Sequence, residues 1–411
     1  MIEINPNVKV KVIKDSKFKH IDVSFKFIKN FKKDEMLTDY ILGEILGEYS
    51  KAYQTKSKMA KRKDELYGLN VYSYQDILCD HKVFNLTYHF LNPFFVDTKI
   101  QEYFDFIKET LTRPFFSSEI LDEILYNYDL KIARILDKPQ RYATNQLVKI
   151  IGKDNHLSNK DLDNRYLIKD MTLDKVISGY KELMNNSSIY IYAIGDINED
   201  SFIEYFKDLF NGVRPYINYQ PKKITLTNQE DIIEDKNISQ SYLKIVYETD
   251  YSNMNEDYYK WLVADAMLGA IPNSLLFREV REKRSLCYTI SSGILKPEGL
   301  SIVSYAISFS TYKEIVDLTD KCIQMLIEKN YDYQELETTK KILINSLNAN
   351  SDDARSTIDF IHSNEINNKN YSIKDITDMI ARINIDDVSE VMQTYKRRLV
   401  YVLRGNENAE N

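Results

Sequence analysis

Cysteine is scarce in this sequence of 411 residues, which contains only three cysteines, five histidines and one tryptophan. Cys79, Cys287 and Cys322 lie far apart, and their odd number does not fit a disulfide framework. No two of them have the CxxC spacing of a thiolate zinc site. The cysteine usage therefore predicts a protein of the reducing cytoplasm without a cysteine-based zinc centre.

Long apolar runs and an excess of one charge are also absent. No stretch approaches the roughly 18 apolar residues of a transmembrane helix, and the first residues, MIEINPNVKVKVIKD, lack the apolar core of a signal peptide. Acidic and basic residues are interspersed, with a formal net charge of −7. Because nucleic-acid surfaces need a one-sided basic excess, we expect neither nucleic acid nor a membrane as a partner.

The length and the apolar pattern indicate two domains of mixed structure. A chain of this size exceeds one ordinary core, and two domains of roughly 200 residues are expected. Two-residue alternation around the turn at Lys14-Asp15-Ser16 predicts a β-hairpin over residues 8–27. The segment NGVRPYINYQPKK, residues 211–223, contains two prolines and little periodicity. We predict an α+β fold with a domain at 1–212, a linker at 213–223 and a domain at 224–411.

Several weak matches indicate that the second domain repeats the first. Leu46-Gly47 matches Leu268-Gly269 at an offset of 222 residues, and three further matches follow in the same order at offsets of 220, 212 and 210. Each match alone is weak, but the common order favours a duplicated α+β domain, each copy a mostly antiparallel sheet packed with helices. Two unrelated α+β domains are the alternative.

The segment 268–294, LGAIPNSLLFREVREKRSLCYTISSGI, combines a short Gly/Ser loop, a helix containing REK, and Leu-x-Tyr entering a strand. In this it resembles the C-terminal-half signature of the pitrilysin/insulinase family of zinc peptidases. The resemblance covers essentially the whole chain and is specific at residues 268–292. It implies the family's fold, in which two homologous α+β halves form half of a peptidase chamber.

The family's zinc motif, HxxEH on a helix of the first half, is missing here. Two histidines one turn apart hold zinc, and the glutamate between them acts as base on the bound water. On the corresponding helix Tyr40 and Glu44 replace the histidines and Gly43 replaces the base. The distal glutamate region, residues 128–131, offers no match either. The resemblance therefore implies the zinc-lacking subunit of the bacterial two-chain type, inactive alone, which binds no cofactor itself.

In such pairs the zinc-lacking chain supplies an arginine and a tyrosine, which here correspond to Arg281 and Tyr288. The resemblance implies that Arg281 donates to a substrate carbonyl and that Tyr288 stabilises the oxyanion opposite zinc. A basic residue late in a helix also favours the helix dipole, and a half-buried strand tyrosine is common. Each residue alone therefore indicates a structural role, whereas the pair within the signature favours function.

Two other regions are predicted to contact a substrate. The strand pattern at residues 70–74 would accept a peptide as an added β-strand, although an ordinary internal strand is equally compatible. The loop 268–274 would approach the substrate backbone, or would simply cap a helix. The candidate substrate-binding residues are Tyr72, Tyr74, Leu268, Gly269, Asn273 and Ser274.

These interpretations predict a non-catalytic subunit of a heterodimeric zinc metallopeptidase that cleaves oligopeptides or a precursor peptide. Its partners would be that peptide and a homologous subunit that carries HxxEH and the zinc. The alternative is an inactive peptide-binding or scaffold protein of the same fold. The retained Arg281 and Tyr288 favour the first prediction, because a scaffold has no need of them.

Overall fold

The computed structural model describes residues 1–212, 214–252 and 257–406. These residues form two β-sheets, each packed with helices. The predicted α+β fold with two halves is therefore confirmed. None of the helices in the described ranges is both long and apolar enough to cross a bilayer.

The first sheet has six strands in the order β1-β2-β6-β3-β5-β4. Residues 1–212 also contain helices and short 3-10 turns at Lys33–Glu35, Pro93–Phe95, His156–Lys160 and Arg165–Asp170, not all of which pack on this sheet. The elements are β1 (Ile2–Asn5), β2 (Val8–Lys14), β3 (His20–Asn30), α1 (Met36–Glu48), α2 (Lys56–Glu65), β4 (Asn70–Leu78), β5 (His81–Leu91), α3 (Ile100–Thr112), α4 (Ser118–Leu136), α5 (Pro139–Ile151), α6 (Leu173–Asn186), β6 (Ser188–Gly195) and α7 (Glu199–Phe206).

The second sheet has five strands in the order β7-β11-β8-β10-β9. Here α8 (Tyr258–Asp265) continues into a π-helical turn at Ala266–Ala270, and a second π-helical turn occupies Phe277–Glu282. The other elements are β7 (Ile232–Asp235), β8 (Ser241–Glu248), β9 (Cys287–Leu295), β10 (Leu300–Ile307), a 3-10 turn (Phe309–Thr311), α9 (Tyr312–Ile327), α10 (Tyr333–Asn350), α11 (Ala354–Ile366), α12 (Ile373–Arg382), α13 (Ile385–Gln393) and β11 (Lys396–Arg404).

The two sheets have the same topology over five strands. The order β2-β6-β3-β5-β4 of the first sheet corresponds to β7-β11-β8-β10-β9 of the second. In both sheets the first of these pairs is parallel, and the others are antiparallel. The fifth strand, β4 or β9, lies at the edge of its sheet. This agreement is what a duplicated domain would give.

The predicted β-hairpin over residues 8–27 is wrong in its pairing. Both strands exist, but β6 lies between β2 and β3, and Ile191 pairs with Val10 on one side and with Phe25 on the other. Residues 21–29 of β3 are buried on both faces, as is typical of a central strand with cover on both sides. The turn between the alternating segments of β2 and β3 predicted that they pair directly, but β6, which comes much later in the sequence, lies between them.

Packing divides the described residues into two compact units that alternate along the chain. The first contains Met1–Arg134, Leu162–Tyr219 and Asp353–Ile366, and the other described residues form the second. Helix α11 thus packs on the first sheet, where Ile358 joins Ile28 and Tyr192. Helix α5 packs on the second sheet through Leu147. The division at residues 213–223 stays a prediction about the two halves of the sequence.

Candidate functional site

Helix α1 presents the residues at the positions of the zinc motif, and α4 packs against it. The Tyr128 ring lies 4.8 Å from the Tyr40 ring, between centroids. The Lys131 ammonium lies 4.6 Å from the Tyr40 ring centroid. Burial, followed by the negative charge of Glu44, raises the pKa of Tyr40. The structure thus brings together the helix positions and the distal region that the sequence analysis paired.

This cluster does not fit a zinc ion. Protein zinc sites use three or four thiolate, imidazole or carboxylate ligands, and among these residues only Glu44 supplies such a group. A phenol whose pKa is raised keeps its proton, and the Lys131 ammonium places a positive charge beside it. The positions that correspond to HxxEH therefore cannot form a zinc site, whereas the absence of any zinc site in the chain stays a prediction.

Position 43 corresponds to the catalytic base of the zinc motif, and both its residue type and its packing are incompatible with a glutamate there. A Cβ atom at Gly43 would lie 2.3 Å from the Ser73 hydroxyl oxygen on β4. Real Cβ atoms do not approach other heavy atoms so closely. A glutamate at position 43 would therefore require Ser73 to move away from α1.

Arg281 lies on the π-helical turn Phe277–Glu282 and is exposed. Its guanidinium stacks on the Phe277 ring, with the carbon 4.9 Å from the centroid. Two neighbouring arginines are paired: Arg278 with Glu335 at 2.5 and 2.6 Å, and Arg284 with the Glu279 side chain at 3.2 Å. Within the described ranges no carboxylate pairs with Arg281, so its donors are available to a ligand.

Tyr288 lies on the edge strand β9 at an irregular position. Along β10, Ala306 pairs with Thr289 and the next residue, Ile307, pairs with Cys287. Tyr288 is therefore the extra residue of a β-bulge, a feature that changes the direction of a side chain and is common beside active sites. No sequence pattern indicates this bulge, because it depends on the register with β10.

The Tyr288 side chain is exposed and lines a polar pocket. It is 59% exposed, and its hydroxyl has no hydrogen-bond partner among the described residues. The pocket has a volume of about 470 Å³, and Ser308 and Gly405 also line it. Burial raises the pKa of the adjacent Cys287, the charge of Arg281 partly opposes this rise, and the resulting pKa is about 11. The positive charge of Arg281 therefore acts at the beginning of β9, next to Tyr288.

The loop residues predicted to contact substrate fall into two groups. Leu268 is fully buried, and Gly269 packs so closely on β9 that a Cβ atom would lie 2.8 Å from the Cβ of Ser292. Asn273, with φ of 65°, and Ser274 instead line a cleft beside α10. Only the second pair is therefore placed at a cavity.

Strand β4 is an edge strand, as an added peptide strand would require. Tyr72 is 46% exposed. Tyr74 is engaged by α11, since its hydroxyl donates to Asp359 at 3.0 Å and the Arg355 guanidinium lies 4.2 Å from its ring centroid. The structure thus leaves Tyr72 accessible and gives Tyr74 a structural contact that the sequence did not indicate.

Two α+β halves of one topology, with a helix that lacks the zinc ligands, make this chain similar to inactive relatives of the metallopeptidases. Residues 170–343 match the family model described as the Peptidase M16 inactive domain. A curated relative from Bacillus subtilis (strain 168), named "Probable inactive metalloprotease YmfF", is 21% identical over 97% of this chain and 96% of its own.

Solved structures show the same fold. A conserved protein from Enterococcus faecalis V583 superposes with a TM-score of 0.92 at 21% identity, over 100% of this chain and 99% of that one. An M16 inactive domain from Pseudomonas fluorescens gives 0.79 at 15% identity, over 98% and 97%. The resemblance inferred from the sequence is therefore confirmed: residues 170–343 match the inactive-domain model of the M16, or pitrilysin/insulinase, peptidases, and the chain shares the fold of solved M16 relatives.

Proposed function

We propose that this chain is the zinc-lacking subunit of a two-chain peptidase and supplies Arg281 and Tyr288 to a homologous partner that carries HxxEH. One contrast carries the proposal. The α1 positions cannot hold a metal, whereas Arg281 and Tyr288 are exposed and without a carboxylate or hydrogen-bond partner among the described residues. Arg281 is accessible on the π-helical turn and Tyr288 on the bulged edge strand that follows it, which fits a role of both residues toward a ligand.

In this proposal, zinc in the partner supplies the Lewis acid and the activated water. Arg281 donates to a carbonyl of the bound peptide and holds it in register. The Tyr288 hydroxyl donates to the oxyanion that forms on the scissile carbonyl. Removing one positioned donor of this kind typically lowers the rate by about 10²–10³, or roughly 3 kcal/mol. The exposed edge of β4 would hold the peptide as an added strand.

The substrates in this proposal are oligopeptides or a short precursor peptide, because a closed chamber excludes folded proteins by size. We also propose a cytoplasmic location. It is supported by the three cysteines, which are all buried and not in disulfides, and of which Cys322 has a pKa raised to about 12 by burial. Thiols of this kind need no oxidising compartment.

The test is purification of the tagged chain from its own host. We expect a second chain of similar size to co-elute, together with zinc and peptide hydrolysis that a chelator abolishes. In the reconstituted pair, Arg281→Ala should lower kcat/KM about 10²-fold while the subunits stay associated. Arg284→Ala is the matched control, since Arg284 is already bound to Glu279. Unchanged hydrolysis in Arg281→Ala would refute the role.

A second candidate function is an inactive peptide-binding or scaffold protein. It is favoured by the similarity to the Bacillus subtilis relative, which is named a probable inactive metalloprotease, and by the stacking of Arg281 on Phe277, which gives that arginine a structural contact. In that case the chain elutes alone, without zinc or hydrolysis. Titration calorimetry with oligopeptides then separates a peptide-binding protein from a scaffold.

A further inference from the structure

A cleft of about 200 Å³ lies in the second unit, between the loop that follows Ala270 and the first turns of α10. Apolar atoms form most of its wall, and Met267, Ile271, Leu275 and Ile342 are among the lining residues. Ile342 is 37% exposed and the neighbouring Thr338 is exposed, so the cleft opens to the surface on the α10 side.

Two polar atoms at this cleft are buried without a hydrogen-bond partner among the described residues. They are the hydroxyl oxygen of Ser274, a residue only 3% exposed, and Nε of Arg278. Both residues line the cleft. Buried polar groups are almost always hydrogen-bonded in folded proteins. Two unpaired atoms at one cavity therefore indicate a ligand that supplies what they lack.

The charge of the cleft limits the kind of ligand. The two terminal nitrogens of Arg278 are bound by the Glu335 carboxylate at 2.5 and 2.6 Å, so the pair is neutral as a whole. The remaining Nε–H can only donate. An acidic ligand would meet the Glu335 carboxylate, and a basic ligand would compete with Glu335 for the guanidinium. An uncharged ligand with an acceptor oxygen fits best.

The size of the cleft limits the ligand further. An apolar cavity of about 150 Å³ binds benzene, so about 200 Å³ accommodates a phenylalanine- or leucine-sized group. We propose that this cleft binds an apolar side chain of a peptide, whose backbone carbonyl accepts from Arg278 Nε and Ser274 Oγ. That the ligand is a peptide rests on the proposed function.

The position of the cleft agrees with this role. Arg278 is on the same π-helical turn as Arg281, and Asn273 and Ser274 belong to the loop that was predicted to approach substrate. The cleft would therefore select an apolar residue in a peptide that Arg281 also contacts. No metal or partner chain is needed for this binding.

The experiment uses the full chain alone, with ¹³C-labelled methyl groups of Met and Ile, titrated with N-acetyl-phenylalanine amide and followed by NMR. We expect saturable shifts at Met267 and Ile342, and weaker binding of N-acetyl-alanine amide. Ser274→Ala should weaken binding about three- to tenfold, as the loss of one hydrogen bond does. Thr338→Trp should fill the cleft and abolish the shifts.

The matched control is Lys341→Trp, which adds the same ring to an exposed position of α10 that does not line the cleft. The proposal is overturned if this variant binds as poorly as Thr338→Trp, if no saturable shift occurs, or if the alanine amide binds as well. Peptide hydrolysis by the reconstituted pair is a separate readout. Intact binding without hydrolysis refutes only the proposed function, and hydrolysis without binding refutes only the cleft.

Discussion

Each sheet has an edge strand that packs against a glycine on an earlier helix of the same half. In the first, Gly43 meets Ser73 of β4, and in the second, Gly269 meets Ser292 of β9. Both glycines follow a buried aspartate by four residues. The structure therefore aligns DYILG, residues 39–43, with DAMLG, residues 265–269, at an offset of 226. The offset of 222 inferred from Leu46-Gly47 is four residues short of this packing match.

The two aspartates, Asp39 and Asp265, differ in the side chains that compensate their buried carboxylates. Asp39 forms an ion pair with Lys82 at 2.7 Å, and both side chains are almost completely buried. Asp265 accepts hydrogen bonds from Ser301 and Tyr395, and burial raises its pKa. A buried acid needs a compensating partner, but a cation or neutral donors can provide it. The equivalent position in the two halves therefore accepts either an aspartate paired with a lysine or an aspartate that is hydrogen-bonded by neutral hydroxyl groups.

The largest effect that separates the halves should come from the Asp39 ion pair. Lys82→Ala leaves Asp39 buried with Lys29, at 3.3 Å, as its one remaining cationic partner among the described residues. We expect it to lower the free energy of unfolding by roughly 3 kcal/mol, measured by urea denaturation. Lys56→Ala, which breaks an exposed pair with Glu123, should cost less than about 1 kcal/mol. Equal losses would contradict the buried-pair interpretation.

The next effect concerns the glycine beneath β4. Gly43→Ala forces a Cβ atom against Ser73 and should destabilise the protein by about 1–3 kcal/mol. Gly47→Ala on the same helix meets no neighbour within 4 Å and should stabilise it by up to about 1 kcal/mol. Thermal unfolding measures both. Adding Ser73→Gly should restore most of the loss in Gly43→Ala, and a failure to do so would place the strain elsewhere.

The smallest effect compares the two edge-strand tyrosines. Tyr74→Phe removes a hydrogen bond to the Asp359 carboxylate and should cost about 1–2 kcal/mol in the free energy of unfolding. Tyr288→Phe removes a hydroxyl that is exposed on its bulge and should change stability by less than about 0.5 kcal/mol. Urea denaturation of both variants tests this. A destabilised Tyr288→Phe would assign Tyr288 a structural role.

Local patterns predicted the elements but not their neighbours. The alternation at residues 8–27 identified β2 and β3, since apolar side chains must face a core whatever the pairing. It could not reveal β6 between them, because that strand is distant in the sequence.

The candidate site divides in the same way. The absence of HxxEH and the spacing of Arg281 and Tyr288 can be read directly from the amino-acid sequence. The contact of Gly43 with Ser73 and the β-bulge at Tyr288 depend instead on how distant elements pack and pair. The contact of Tyr74 with α11 joins residues 285 positions apart. No local pattern contains that information.

The docking of α11 on the first sheet also has a consequence for synthesis on the ribosome. The sheet acquires its last strand when β6 ends at Gly195, but α11 ends at Ile366, 171 residues later. At about 5–20 residues per second, roughly 10–35 s separate the two events. During that interval one face of the nascent sheet, including Ile28 and Tyr192, lacks its cover. The first half therefore cannot complete its own folding until most of the second has been translated.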